Sequence, residues 1–364
     1  MGFKCGIVGL PNVGKSTLFN ALTSAGAEAA NFPFCTKDPN IGMVNVPDEK
    51  LLQLSSAVSS KKTINAVMQF VDIAGLVKGA SKGEGLGNQF LSHIRDTDAL
   101  MHVVRCFDDS DVSHVEGRID PVRDVELILT ELILKDIEAI TNRLLKDKKI
   151  ASSGNKEARF RVPLEEKLLS ALNNEQLLSS LSFSEEELVV VESFQLLTRK
   201  KMFYCLNVSE DDLDGKSPYV QAMKSFAESS NQEVLIISGQ IEAEIAELPN
   251  EEKTAFLEEM GLKSSGLSKV VRKGYEVLGF HTFYTAGPKE SRAWTISVGD
   301  TAFDAAGVIH SDFQRGFIRA ETISYQDFMD NRSWAAVREK GLLRSEGRDY
   351  VVQNGDILNF LFNV

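Results

Sequence analysis

The chain has 364 residues, of which 43% are hydrophobic and 25% charged, a composition that excludes a disordered protein and allows two or three domains. Its formal net charge of -12 argues against binding naked nucleic acid through bulk electrostatics, although a local basic patch is compatible with it. Four widely spaced cysteines and the lack of any apolar run of 18 residues predict no zinc site, disulfide framework or membrane span, and we expect a cytoplasmic protein.

The first 125 residues alternate between short apolar strands and helical segments. Such alternation predicts a parallel sheet with crossover helices. The predicted elements are strand 3–8, a helix from Lys15, strand 66–71, a helix near 88–95 and strand 99–106.

No strand pattern occurs between residues 126 and 199. Apolar residues there recur at helical spacings of three and four, namely Ile133, Ile137, Ile140 and Leu144, then Val190, Phe194 and Leu197. We predict an antiparallel helical arm inserted into the α/β domain, with its loop broken by Ser152-Ser153-Gly154 and by Pro163.

Strand patterns return at 202–208 and 233–237, followed by a helix over 267–278. The last 85 residues predict a small α+β domain with strands at 293–298 and 317–323 and a hairpin over 350–362 that turns on Asn354-Gly355. The predicted domains are therefore an α/β domain in two pieces (1–125 and 200–279), the arm (126–199) and a C-terminal domain (280–364).

A phosphate-binding motif follows the first strand. Residues Gly9 to Ser16 match G-x4-G-K-[ST] directly before a predicted helix. In such a P-loop, backbone N–H groups and the helix N-terminus face phosphate oxygens, Lys15 reaches the β and γ phosphates during catalysis, and the Ser16 hydroxyl ligates Mg²⁺. The predicted nucleotide ligands here are Asn12, Val13, Gly14, Lys15, Ser16 and Thr17.

Two later segments are candidate switches. Asp72 ends the second apolar strand, where it would meet the Mg²⁺ shell, and the N–H of Gly75 would sense the γ phosphate during catalysis. The glycine-rich run 79–87 fits a loop that orders with the nucleotide, the alternative being a plain surface loop. Thr36 would supply a hydroxyl to Mg²⁺ from the first switch, unless it is an ordinary loop threonine.

The base-reading motif departs from that of GTP-binding proteins. Where those carry Asn-Lys-x-Asp, this chain has Asn207-Val-Ser-Glu210, which lacks the lysine and has a longer carboxylate. An asparagine amide both donates and accepts hydrogen bonds, as adenine requires. We predict ATP rather than GTP, held at its base by Asn207, Val208, Glu210, Ser238, Gly239 and Gln240.

The chain resembles YchF-type Obg-like ATPases, translation-factor-class P-loop proteins, over essentially its whole length. The resemblance rests on 9–17, 31–36, 70–76, 79–87, Val104-Arg-Cys-Phe107, Asn207-Val-Ser-Glu210 and Arg292-Ala-Trp-Thr295. It implies a P-loop G domain split by an antiparallel helical arm and followed by a ubiquitin-like TGS domain. It also implies ATP preference, slow hydrolysis, and association with the large or small ribosomal subunit or both.

Hydrolysis needs a residue that positions water. Leu76 occupies the place where many GTPases have a glutamine, and a leucine cannot orient water. The resemblance points to His114 for this role, the alternative being a solvated loop histidine. It also points to Asn12 as a ligand of K⁺ at the phosphates, with ordinary turn chemistry as the equal alternative.

The middle of the arm is basic. Between Arg143 and Lys167 the sequence has eight Lys or Arg and four Asp or Glu. This stretch could contact rRNA phosphates, or it could be a solvated helix end. We expect a monomer whose partners are ATP and the ribosome, without specific DNA or a membrane.

Two other functions remain open from sequence. A GTPase of the same fold would differ in its nucleotide preference. A nucleotide-binding scaffold with incidental hydrolysis would act through its arm and C-terminal domain.

Overall fold

The computed structural model describes residues 3–25, 40–73, 85–109 and 118–363. The chain divides into two compact units, one of Met1–Met43 with Gln69–Val270 and one of Val44–Met68 with Val271–Val364. The three predicted domains, with boundaries at residues 125, 200 and 280, stay a prediction.

The first unit contains the predicted parallel sheet. Its strands lie in the order β2-β4-β1-β5-β6-β7, and the pairs from β4 to β7 are parallel. All seven residues of β5 are buried, as expected for a strand covered on both faces. The bounds are β1 Lys4–Val8, β2 Ile41–Asn45, β4 Val67–Asp72, β5 Ala99–Arg105, β6 Lys201–Asn207 and β7 Glu233–Ile237.

Helices connect these strands. Those of the first unit are α1 Lys15–Ala25, α3 Gly85–Arg95, α4 Pro121–Ser152, α5 Lys156–Asn173, α6 Glu185–Ser193, α7 Pro218–Ser229, α8 Gly239–Glu247 and α9 Asn250–Glu259, and α10 (Gly266–Leu278) contains the boundary between the units. None of the described helices is long and apolar enough to cross a membrane.

The predicted helical arm is confirmed as α4, α5 and α6. Ile133 and Ile140 are buried in its core, as their spacing predicted, together with Leu164 and Leu168 of α5. At the arm's base, the buried carboxylate of Asp136 accepts hydrogen bonds from the backbone N–H groups of Leu197 and Thr198 at 3.0 and 2.8 Å. This contact fixes the chain where it returns to the sheet.

Pro163 does not break the arm, contrary to the sequence prediction. It lies inside α5, and the interruption between α4 and α5 occurs only at the predicted Ser153-Gly154 turn. A proline removes one helical hydrogen bond, which is costly mainly where water cannot replace it. Pro163 and Arg159, whose carbonyl loses that bond, are both exposed, so the helix tolerates the proline.

The second unit has its own six-stranded sheet in the order β11-β10-β12-β8-β9-β3. Residues 44–68 supply α2 and β3, and there the Tyr284 hydroxyl donates to the Asp48 carboxylate at 2.9 Å. The elements are α2 Glu49–Ala57, β3 Thr63–Ile64, β8 Phe280–Ala286, β9 Ser291–Ser297, α11 Ala302–Ile309, α12 Ser311–Arg315, β10 Phe317–Ile323, α13 Tyr325–Asn331, α14 Trp334–Glu339, β11 Arg344–Glu346 and β12 Ile357–Phe362.

The predicted hairpin over 350–362 is wrong. β12 pairs with β10 and β8, whereas Val351 makes only an isolated bridge to Thr301. The turn is instead tied to β8, because the Asn354 side-chain oxygen accepts from the Thr282 N–H at 3.0 Å and the Gly355 N–H donates to the Thr282 carbonyl at 2.7 Å.

A buried acid lies in the basic part of the arm. Glu165 has no exposed surface, and burial together with the neighbouring Asp147 charge raises its pKa from 4.5 to about 7. Asp147 is ionised against Arg161, whose Nε lies 2.7 Å from the carboxylate. Unfolded chains ionise Glu165 above pH 4.5, so the folded state loses stability as pH rises from 4.5 to about 7.

We therefore expect Glu165→Gln to raise the free energy of unfolding by about 1–2 kcal/mol at pH 8.5 and by much less at pH 5. Urea unfolding at the two pH values measures the difference. Glu166→Gln is the matched control, because Glu166 is exposed and pairs with Lys148 at 2.8 Å. An equal gain for Glu165→Gln at both pH values would contradict the prediction.

Candidate nucleotide-binding site

The P-loop lies between β1 and α1, as its motif predicts. Asn12 and Gly14 have positive φ angles of 63° and 95°, which turn the chain so that it enters the helix at Lys15. A Cβ atom on Gly9 would lie 2.5 Å from the Val103 carbonyl oxygen on β5. The first glycine is therefore required by close packing and Gly14 by backbone conformation.

Lys15 is the cation of this turn, and it is 93% buried. Its ammonium group donates to the Leu10 carbonyl at 2.7 Å. Burial lowers the Lys15 pKa to about 8, an effect that the Asp72 charge partly opposes. Behind it on β5, burial and the Lys15 charge lower the pKa of His102 to about 3, so the imidazole is neutral.

Ser16 and Asp72 form the predicted metal-binding pair. The Ser16 hydroxyl lies 3.2 Å from Asp72 Oδ2 and donates to it. The other oxygen, Asp72 Oδ1, is buried and has no hydrogen-bond partner among the described residues. A hydroxyl and a carboxylate with a spare oxygen are ligands that Mg²⁺ prefers, so these residues fit the ion.

The Asn207 side chain links the P-loop to the start of α8. Its side-chain amide donates to the Val13 carbonyl at 3.0 Å and accepts from the Gly239 N–H at 2.8 Å, and the residue is 95% buried. A Cβ atom on Gly14 would lie 2.3 Å from the Asn207 amide nitrogen. The structure thus gives Asn207 a bracing role, whereas the sequence analysis interpreted its amide as a reader of adenine.

A cavity of about 580 Å³ opens beside this brace. The predicted residues that line it are Asn12, Gly14, Thr17, Asn207, Val208, Glu210, Gly239 and Gln240. The remaining lining residues were not predicted: Phe107, Asp108, Asp109, Ser209, Ala243, Glu244 and Glu247. Ser238 is not in the lining; its hydroxyl caps α8 by accepting from the Ile241 N–H.

Residues 107–109 form one wall of the cavity, the 107–109 wall, and it is held by a residue that sequence reasoning did not single out. Arg105 is 99% buried at the end of β5, and its guanidinium donates to the carbonyls of Phe107 at 3.1 Å and Asp109 at 3.2 Å. The Tyr219 hydroxyl of α7 donates to the Asp108 carboxylate at 3.2 Å. The sequence signals for Arg105 were its position at the end of an otherwise apolar strand and its place in the motif Val104-Arg-Cys-Phe107, neither of which indicated its role.

Three predicted residues, Thr36, Gly75 and His114, lie outside the described residues, as do Leu76 and most of the 79–87 run. Their roles stay predictions.

Known proteins resemble the chain over its full length. A family model described as a 50S ribosome-binding GTPase matches residues 4–152, and the YchF GTPase C-terminal model, described as a protein of unknown function (DUF933), matches residues 280–363. Proteins named ribosome-binding ATPase YchF from Escherichia coli O157:H7 and Bacillus subtilis are each 50% identical, with both chains covered completely. The solved structure of the Schizosaccharomyces pombe YchF GTPase is 38% identical, covers 99% of this chain and 98% of its own, and has a TM-score of 0.90.

The close contact between Gly14 and Asn207 can be tested with two matched glycine variants. Gly14 and Gly154 share a φ angle of 95°, but a Cβ on Gly154 would have no atom within 4 Å. Gly14→Ala and Gly154→Ala should therefore both bear backbone strain of about 1–2 kcal/mol. We expect only Gly14→Ala to weaken nucleotide binding, by more than about tenfold (1.4 kcal/mol), because it also displaces Asn207. Calorimetric titration with ATP measures this, and equal affinities for the two variants would refute the brace.

Proposed function

Since the chain belongs to the YchF family of P-loop proteins, we propose that it is an ATP-hydrolysing switch that associates with ribosomes, as a monomer in the cytoplasm. The bacterial relatives carry the name ribosome-binding ATPase. The observation that supports the proposal is the braced P-loop, with the Ser16–Asp72 pair beside it and the 580 Å³ cavity adjoining it.

The proposed preference for ATP rests on the base end of the cavity. Glu210 replaces the aspartate that reads guanine, and its side chain is exposed at the start of a short 3-10 turn. Val208 replaces the lysine and is buried. A guanine would therefore leave its N1–H and amino donors without the aspartate that normally accepts from them, which costs binding energy.

We expect ATP to bind at least about tenfold more tightly than GTP, a difference of about 1.4 kcal/mol. Glu210→Asp, which restores the shorter carboxylate, should raise the affinity for GTP more than it changes the affinity for ATP, and so narrow this ratio. Calorimetry with both nucleotides and both proteins measures the ratio. Tighter binding of GTP to the parent chain would favour the GTPase alternative.

Phosphate binding and hydrolysis are assigned to groups of the P-loop and the switches. The N-terminus of α1 and its preceding N–H groups would hold the phosphates, and Lys15 would place its charge between the β and γ phosphates. Ser16 and Asp72, with Thr36 outside the described residues, would hold Mg²⁺, which when bound neutralises charge on the phosphate oxygens. Gly75 would donate its N–H to the γ phosphate.

The water-positioning role is proposed for His114, and a K⁺ site for Asn12. Both rest on the family resemblance, and Asn12 also lines the cavity with its φ of 63°. If His114 positions water, His114→Ala should lower the hydrolysis rate by about 10²- to 10⁴-fold and leave ATP affinity nearly unchanged. A His114→Ala rate equal to that of the parent would remove His114 from the mechanism, and a parent rate that is the same in KCl and in NaCl would remove the K⁺ site.

The arm is the proposed contact with rRNA. Three of its basic residues are already neutralised, because Lys148 pairs with Glu166, Arg161 with Asp147 and Lys167 with Glu187. Arg143 instead packs over the Phe194 ring at 4.6 Å. Lys146, Lys149, Lys156 and Arg159 are exposed and have no ion-pair partner within the described chain, so these are the cations available for phosphates.

This division gives two double variants with the same change in charge. Lys146→Gln with Lys149→Gln removes two unpaired cations, and Lys148→Gln with Lys167→Gln removes two paired ones. For ribosome binding, the slope of the logarithm of the binding constant against the logarithm of the salt concentration measures salt dependence. We expect the first double variant to reduce the size of this slope by about 2, and the second by less than half as much. Co-sedimentation across a range of KCl concentrations measures both slopes. Equal slopes for the two variants would contradict an rRNA contact at this surface.

A further inference from the structure

The second unit contains a cavity of about 650 Å³ that the nucleotide site does not use. It lies between the end of β8 with its following turn (285–288) and the second half of β12. We call it the β8–β12 slot. It belongs to residues 271–364 alone and is open to solvent along one side.

The slot exists because two neighbouring strands separate. β12 and β8 run parallel but are paired at a single position, Ile357 with Tyr284. β8 ends at Ala286, whereas β12 continues to Phe362. Within the described chain, no strand pairs with this side of β12 beyond Ile357.

The register with β10 fixes which backbone groups face the slot. The Asn363 N–H donates to the Gly316 carbonyl on the β10 side, and Asp356 accepts from the Tyr284 N–H on the β8 side. Backbone groups of an antiparallel strand alternate between its two sides. The N–H and C=O groups of Phe360 and Phe362 therefore point into the slot, where they form a short strand edge that no other described strand pairs with.

The two walls of the slot differ in chemistry. On one side, Phe313 and Phe362 stack with their ring centres 4.0 Å apart, which makes an apolar surface. On the other side lie Trp334 of α14 and Asn359, whose amide donates to Glu321 at 2.9 Å. A strand added beside β12 would place alternate side chains against these two walls.

The charges of the slot distinguish between classes of partner. Arg338 is the only cation among its lining residues, and it is already paired with Glu321 at 3.4 Å. The one acidic lining residue is Glu290. A site for nucleic acid needs cations that are free to meet phosphates, and this slot offers none. A neutral backbone with hydrogen-bonding groups matches it better.

We propose that the β8–β12 slot binds an extended peptide segment of a partner protein, which adds to β12 as a strand and presents apolar side chains at every second residue to Phe313 and Phe362. Backbone hydrogen bonds to Phe360 and Phe362 hold the peptide, and the aromatic wall selects its side chains. This is a binding function separate from nucleotide hydrolysis.

The state of the strand edge can be tested first in the full-length protein without any ligand. The amide hydrogens of Phe360 and Phe362 should exchange with solvent faster than those of Asn359 and Leu361, which face β10. Nuclear magnetic resonance with deuterium exchange resolves the four amides. Equal protection of all four would mean that the edge is not free and would overturn the proposal.

Binding can then be tested with random 12-residue peptides displayed on phage and selected against the full-length protein. Gly287→Leu should block the slot, because Gly287 lines it and a Cβ there meets only the Glu290 carbonyl oxygen, at 3.9 Å. Gly347→Leu is the matched control, since a Cβ on Gly347 has no atom within 4 Å and the residue does not line the slot.

The chain has two tryptophans, so Trp294→Phe leaves Trp334 as the sole indole probe in the slot. Selected peptides should shift the emission of Trp334. Their affinity for the Gly287→Leu protein should be at least about tenfold lower than for the parent, and their affinity for the Gly347→Leu protein should equal that for the parent. Failure to select any peptide, or equal binding to both glycine variants, overturns the proposal. So does a shift of Trp334 emission by octauridylate RNA when no peptide produces one.

Discussion

The side chain of Asn207 is the contact on which the nucleotide site depends. It leaves β6 at the carboxyl edge of the sheet, where the strands on both sides also end, and its amide bonds to the P-loop on one side and to the start of α8 on the other. Because the amide is buried, both bonds are made away from competing water. Gly14 accepts this neighbour only because it has no side chain, whereas a Cβ atom on Gly239 would lie 3.2 Å from the Asn207 side-chain oxygen. One side chain therefore holds the P-loop against the start of α8.

The sequence predicted the parts of this site that local chain geometry determines. A P-loop is a contiguous turn, so the motif alone located Gly9 to Ser16, and Asp72 followed from the end of a recognisable strand. The motif around Asn207 gave its position but not its role, since bracing depends on the Val13 carbonyl nearly two hundred residues away. The 107–109 wall depends on Arg105, whose hydrogen bonds to nearby carbonyls have no periodic signature in the sequence.

For the fold too, local patterns were predictable from the sequence and long-range contacts were not. Parallel strands, the arm and its apolar spacing were predicted because burial patterns repeat over short distances. The Asn354-Gly355 turn was recognised, but its partner was not, since its hydrogen bonds lead to Thr282 rather than to residues just before it. Residues 44–68 were assigned by chain order to the first domain, and nothing local signals that Asp48 bonds to Tyr284. Pairings across more than two hundred residues need complementary surfaces that a single sequence does not display.

The charges of this site are unevenly distributed. Five carboxylates line the cavity (Asp108, Asp109, Glu210, Glu244 and Glu247), whereas Lys15 is the one cation of the P-loop. Burial leaves the Lys15 ammonium poorly hydrated and thereby lowers its pKa to about 8, and an adjacent phosphate would stabilise the protonated form. A triphosphate in the opposite orientation would place its charge against the carboxylates and leave Lys15 without a counter-ion. Base and ribose are neutral, and the amino group of a purine donates hydrogen bonds that carboxylates accept. The charge distribution therefore favours phosphates at the start of α1 and a neutral group beside the carboxylates.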